Sequence, residues 1–177
     1  MHPDLEEITH DAETIARRVR ELAAEIDRDY AGKEILLVGV LKGAFMLMAD
    51  LSRKLTTPTD VDFMAVSSYG SSTQSSGVVR ILKDLDRDIS GRHVLLVEDI
   101  LDSGLTLQYL VRNLGARKPA SLAVITLLTK PDPLRPDVPL YEGFAVPDRF
   151  VVGYGLDYDQ AYRGLPYIGV LKPEIYA

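Results

Sequence analysis

His93-Val94-Leu95-Leu96-Val97-Glu98-Asp99-Ile100-Leu101-Asp102-Ser103-Gly104-Leu105-Thr106-Leu107 is the stretch on which the fold turns. The apolar run Val94–Val97 predicts a strand covered on both faces, because a half-exposed strand alternates apolar with polar residues. Two carboxylates, Glu98 and Asp99, follow as an acidic turn. A helix is expected from about Gly104 to Leu114, with Gly115 as its stop. Consecutive amides at a helix start, with Ser and Thr hydroxyls and a Gly for close approach, make a cradle for a phosphate. Acids beside a phosphate repel it, so Glu98 and Asp99 make sense facing sugar hydroxyls or a metal ion. Asp102 alone reads equally well as a helix N-cap. The whole pattern does not: two acids, a third three residues on, then Ser-Gly-x-Thr after an apolar strand.

Outward from this segment, strands and helices alternate. Glu34–Leu41 (EILLVGVL) is a second continuous apolar strand, and Gly43–Leu55 reads as the helix after it. Val61–Ser67, Val78–Leu82, Leu122–Leu128 and Phe150–Tyr154 are further strands. Near the start, Ile15, Val19, Leu22 and Ile26 recur at helical spacing within Thr9–Ile26, an amphipathic helix capped by Thr9 or Asp11. Such alternation implies an α/β domain with a mostly parallel sheet flanked by helices. In these sheets ligands bind beyond the carboxyl ends of the strands, where strand order reverses. Residues 68–77 (SYGSSTQSSG) have almost nothing to bury and are expected to be mobile. A loop punctuated by Pro131, Pro133, Pro136 and Pro139 precedes the last strand. There is neither an internal repeat nor an interdomain linker.

Bulk properties narrow the class. The 177 residues suit one domain, and 46% hydrophobic with 26% charged residues is ordinary for a globular protein. The absence of cysteine excludes disulfides and thiolate metal sites. No apolar run approaches the roughly 20 residues that span a bilayer, and the acidic start Met1–Glu7 lacks an apolar export segment, so a cytoplasmic protein is expected. The net charge of −6 argues against non-specific nucleic-acid binding. It does not argue against a small phosphorylated ligand held by amides, a few cations and a metal ion. Other phosphate motifs fail: no G-x-x-x-x-G-K-[ST] exists, and Gly153-Tyr154-Gly155 lacks the third glycine of a dinucleotide fingerprint.

The acidic segment resembles the phosphoribosyl-diphosphate signature of the type I phosphoribosyltransferases. Leu41-Lys42-Gly43, Ser68-Tyr69-Gly70, Lys130, Phe150-Val151-Val152-Gly153-Tyr154, and Leu156-Asp157-Tyr158 with Arg163 stand in the order of its hypoxanthine-guanine branch. The resemblance runs from about Ile35 to Arg163. Ser103 and Leu105 fall where family members vary, which touches affinity more than reaction type.

That resemblance implies a twisted central sheet with a small hood formed by N- and C-terminal segments, about 1–30 and 150–177, and a catalytic loop over 68–77. It implies transfer of a 5-phosphoribosyl group from its 1-diphosphate to hypoxanthine or guanine, with Mg²⁺. Glu98 and Asp99 would lie near the ribose hydroxyls, with Asp157 beside them as metal ligands. Asp102, Ser103, Gly104, Leu105 and Thr106 would hold the 5′-phosphate. Asp102 would also be the general base or acid at purine N7, which a partly desolvated site would favour. Lys130 would donate to the 6-oxo group, Phe150 stack on the base and the Val151 backbone read its other edge. Leu41, Lys42, Gly43 and Arg163 would serve the diphosphate, and the Leu41–Lys42 peptide is often cis in the family. Ser68 and Tyr69 would open the lid. A homodimer or homotetramer with small-molecule substrates is expected, without nucleic acid or membrane. The alternatives are a preference for xanthine, or a non-catalytic sensor of phosphoribosyl diphosphate.

Overall fold

The structure, a computed structural model, describes residues 1–69 and 78–177. Six strands form the large sheet in the order β4 (Val78–Lys83), β3 (Thr59–Tyr69), β2 (Ile35–Leu41), β5 (His93–Leu101), β6 (Ser121–Thr129), β7 (Leu140–Ala145). All its neighbours pair in parallel except β3 with β4. From β2 the chain steps to one side for β3 and then to the other for β5. The reversal falls between β2 and β5, so a ligand crevice belongs at their carboxyl ends.

Both faces of this sheet are covered, which is why β2 and the Val94–Val97 run of β5 are apolar. Helices α1 (Ala12–Asp29) and α2 (Phe45–Lys54) pack on one face with Leu37, Leu95 and Val97. Helix α3 (Leu105–Gly115) packs on the other with Leu36, Val38 and Leu96. Three further strands, β1 (Leu5–His10), β9 (Ile168–Leu171) and β8 (Val151–Val152), form a small antiparallel sheet in the order β1-β9-β8. A four-residue helix α4 (Pro173–Tyr176) follows β9. The hood is this small sheet, whereas α1 belongs to the core of the large one.

Several expectations shift. Asp11, not Thr9, caps α1, accepting from the Thr14 amide at 2.8 Å; Thr9 lies in β1. The strand predicted to stop at Val97 runs on to Leu101, because β6 continues beside it and pairs Glu98 with Thr126 and Ile100 with Leu128. Glu98 and Asp99 therefore sit in a strand, not in a turn. Gly115 is the last residue of α3 instead of the stop beyond it, and Lys118 takes the positive φ of 58°. Phe150–Tyr154 contributes only the two-residue strand β8. The loop expected over 68–77 lies outside the described residues, save for the backbone of Ser68 and Tyr69 at the end of β3.

Candidate active site

Strand β5 delivers Glu98 and Asp99 to the crevice beside the β2–α2 turn. In that turn the Leu41–Lys42 peptide is cis. Gly43 lies so close to β5 that a Cβ there would sit 1.7 Å from Asp99 Oδ2. Only glycine lets the turn and the carboxylate share this space. Burial pushes the Glu98 carboxyl well above its usual range, and the neighbouring Asp99 pushes the same way. Burial also raises Asp99, with Asp157 adding to it, while the Ile100 amide (2.7 Å) and Arg163 oppose the rise. At both acids burial outweighs the hydrogen bonds they accept, which marks a functional site more often than a structural one.

Asp102 contrasts with them. Its side chain is 68% exposed and lies 3.8 Å from Lys130 Nζ. The expected desolvation thus falls on Glu98 and Asp99, because it is their strand that runs into the core and Asp102 stands beyond its end. At the start of α3, Gly104 has a φ of 88° and supplies no side-chain cap. A Cβ at Gly104 would meet Leu134 O at 2.0 Å, and the Leu134 amide donates to Ser103 O at 2.9 Å. The proline-rich loop thus braces the turn. Ser103 Oγ accepts from the Leu105 amide at 3.3 Å. Thr106 lies in the first turn, where amides lack intrahelical partners and can face an anion.

Lys130, following β6, is only 17% exposed and has Asp148 Oδ1 at 3.2 Å besides Asp102. Phe150 and Val151 enter from the hood side. Asp99, Asp102, Lys130, Phe150, Val151 and Asp157 line one cleft of about 200 Å³. That is below the roughly 300–1,000 Å³ of sites for drug-sized ligands and suits a single bicyclic base.

Arg163 sits at the cleft's edge. It donates to Gly155 O at 2.7 Å and to Gln160 Oε1 at 3.1 Å, and pairs with Asp157 Oδ1 at 3.1 Å. Its buried Nε has no partner among the described residues, which is unusual for a buried donor and calls for an acceptor. Lys42 Nζ donates to the same Gln160 oxygen at 3.0 Å, so two cations converge on one point. Asp157 Oδ2 accepts from the Gln160 amide at 2.8 Å.

The structure thus gathers most of the residues singled out above, with Glu98 buried below the cleft and Lys42 and Arg163 beside it. Nothing is described of the Ser68 and Tyr69 side chains. Sequence reasoning missed Asp148 and Gln160. Asp148 was visible only as a neighbour of Phe150. Gln160 carried no signal at all, since its place depends on a loop in which Tyr154, Asp159, Gln160 and Tyr162 all take positive φ. Non-glycine residues of that kind cluster where a site over-determines the backbone. Among the described residues no three acidic or histidine side chains form a ready metal cluster. Mg²⁺ needs none, since one or two carboxylates plus substrate oxygens serve it, and Asp157 is near enough to add to the upward push on the Asp99 carboxyl.

Crevice position, acid-bearing strand and helix-start turn together define a protein that holds a phosphorylated sugar, and the chain belongs to the phosphoribosyltransferase family: residues 6–159 match the family model described as phosphoribosyl transferase domain. Its similarity is to the hypoxanthine-guanine branch. A hypoxanthine-guanine phosphoribosyltransferase of Mycobacterium tuberculosis is 56% identical, over 98% of this chain and 89% of that protein. The crystal structure of a hypoxanthine phosphoribosyltransferase from Staphylococcus aureus superposes with a TM-score of 0.93 at 46% identity, covering 100% of this chain and 97% of that one. A variant of the Trypanosoma cruzi hypoxanthine phosphoribosyltransferase, complexed with the product IMP, matches with a TM-score of 0.90 at 42% identity over 99% and 95% of the two chains.

Proposed function

We propose that this enzyme serves purine salvage, transferring the 5-phosphoribosyl group from 5-phosphoribosyl 1-diphosphate to hypoxanthine or guanine and releasing diphosphate with IMP or GMP. The cleft carries this reading. It is sized for one base, has an acid and a half-buried lysine on one wall and an aromatic ring on another, and opens beside a helix start suited to a phosphate.

The 5′-phosphate rests on the amides and hydroxyls of Asp102–Thr106, with Glu98 and Asp99 at the ribose hydroxyls. The purine stacks on Phe150, and the Val151 backbone reads its far edge. Lys130 donates to the 6-oxo group, which accepts, and so disfavours adenine, whose 6-amino group donates. Asp102 holds or releases the proton at N7, within reach of Lys130. The base nitrogen attacks C1 of the ribose as diphosphate departs from the opposite face. Lys42, Arg163 and the amides of the Leu41–Gly43 turn receive the leaving charge, consistent with the unpartnered Arg163 Nε. Glu98, Asp99 and Asp157 are the candidate ligands for Mg²⁺, which when bound neutralises charge on the diphosphate. A sugar cation invites water, and residues 68–77 are assigned as the lid that excludes it.

The chain forms one catalytic domain whose hood comes from β1 and residues 150–177. It works in the cytoplasm as a homodimer or homotetramer, which sedimentation at working concentration checks. Incubation with Mg²⁺, phosphoribosyl diphosphate and each of hypoxanthine, guanine, xanthine and adenine tests the activity. Turnover of the first two is expected; preference for xanthine, or no turnover of any base, overturns the assignment.

A further inference from the structure

Phe150 is gripped by two tyrosines. Tyr176 of α4 stacks on its ring, with centroids 5.0 Å apart and planes 28° apart, and Tyr158 meets it edge-on at 5.5 Å and 89°. Phe150 lines the cleft and neither tyrosine does. Tyr176 therefore covers the face of Phe150 that is turned away from the cleft.

The backbone fixes this arrangement. The Leu171 amide at the end of β9 donates to Phe150 O at 2.8 Å, and the next amide, Lys172, donates to Asp4 O at 3.0 Å. Ile175 packs in the same apolar cluster as Phe150 and Tyr158. The segment carrying Tyr176 is thus tied to the carbonyl of the residue it stacks on.

From this geometry we infer that Tyr176 is a positioning residue for the purine, setting the plane of Phe150 from behind. The inference rests on Phe150 being the platform for the base. A phenyl ring's outer torsion is soft, so an unbacked Phe150 tilts among orientations, and base binding must then order it. With Tyr176 stacked behind and Tyr158 at the edge, the ring meets the base already oriented, as offset-stacked aromatic pairs prefer. The phosphate cradle stands on α3 and β5, whereas the ring of Tyr176 stacks on Phe150, so binding of the sugar diphosphate should be indifferent to it.

Steady-state kinetics of the full chain with Mg²⁺, phosphoribosyl diphosphate and hypoxanthine test this. Tyr176→Ala and Tyr176→Leu are expected to raise KM for hypoxanthine about 3- to 10-fold, with kcat and the KM for phosphoribosyl diphosphate within about 2-fold of wild type. Tyr176→Phe keeps the flat ring and should behave as wild type, and Tyr176→Leu keeps apolar bulk if the alanine variant folds poorly. Phe150→Ala is the reference. In that background Tyr176→Ala should add nothing. If Phe150→Ala raises the hypoxanthine KM while Tyr176→Ala and Tyr176→Leu do not, the positioning role is wrong and the platform survives. Equal changes in both KM values, or a failure of Tyr176→Phe to match wild type, also overturn it. If Phe150→Ala itself leaves the hypoxanthine KM unchanged, the platform reading falls and takes this one with it.

Discussion

At opposite ends of the large sheet, acids leave water on different terms. At the amino end Asp27 accepts from the amides and hydroxyls of both Thr56 and Thr57, at 2.7–3.1 Å. Burial pushes its carboxyl up, yet these hydrogen bonds win and hold it below the ordinary value of 3.8. At the carboxyl end the backbone hydrogen bonds to Glu98 and Asp99 are outweighed, and burial wins. The first arrangement stabilises a fold; the second perturbs two carboxyls at the mouth of the ligand crevice, as functional sites do. Substitutions at the two ends should therefore separate rate from stability.

The largest effect is expected from Asp102→Ala, which should lower kcat by roughly 10²–10⁴-fold with little change in Tm. Near-normal turnover would remove its role as proton carrier. Gly43→Ala comes next. Its new Cβ would lie 1.7 Å from Asp99 Oδ2, so the carboxylate or the turn must move. A displacement of that size costs on the order of 10² in kcat/KM for phosphoribosyl diphosphate; an unchanged value would show that the contact is idle. Lys130→Ala removes a charged donor and should weaken 6-oxopurines roughly 10- to 100-fold. Competition assays against adenine read this, and unaltered discrimination would sink the assignment.

The smallest effect lies at the other end. Asp27→Asn should cost about 1 kcal/mol, or roughly 2–4 °C in Tm, with kcat unaffected. Because the folded-state carboxyl is held low, its contribution is complete above the ordinary Asp value. It fades as pH falls through the lowered one. Wild type and Asp27→Asn should thus begin to converge in stability as pH falls below about 4 and meet only beneath the lowered value, as acid titrations of Tm would show. A gap that persists in acid would mean that the charge is not what the threonines hold.

Much of this was legible in advance, for physical reasons. Stretches covered on both faces must be apolar, so β2 and the central runs of β5 and β6 stand out, and the turn after β5 announces itself through residues that few other structures need together. Strands β1, β7 and β9 were not foreseen. Each is short, and β1 and β9 owe their existence to pairing between remote segments, which no local pattern encodes. The end of β5 was misplaced because acids ordinarily end a strand, and only the neighbouring β6 reveals that the ladder continues. Asp148 and Gln160 escaped because their partners come from distant loops.

The pairing of β1 with β9 also governs timing. Thr9 Oγ1 donates to Ile168 O across 159 positions of sequence. Closing so wide a loop is slow compared with assembling the neighbouring strands of the large sheet. During synthesis β1 must wait, unpaired, until Ile168–Leu171 has left the ribosome. The wall that carries Phe150 is thereby the last part of the cleft to gain its partners, long after the turn beyond β5 has its own.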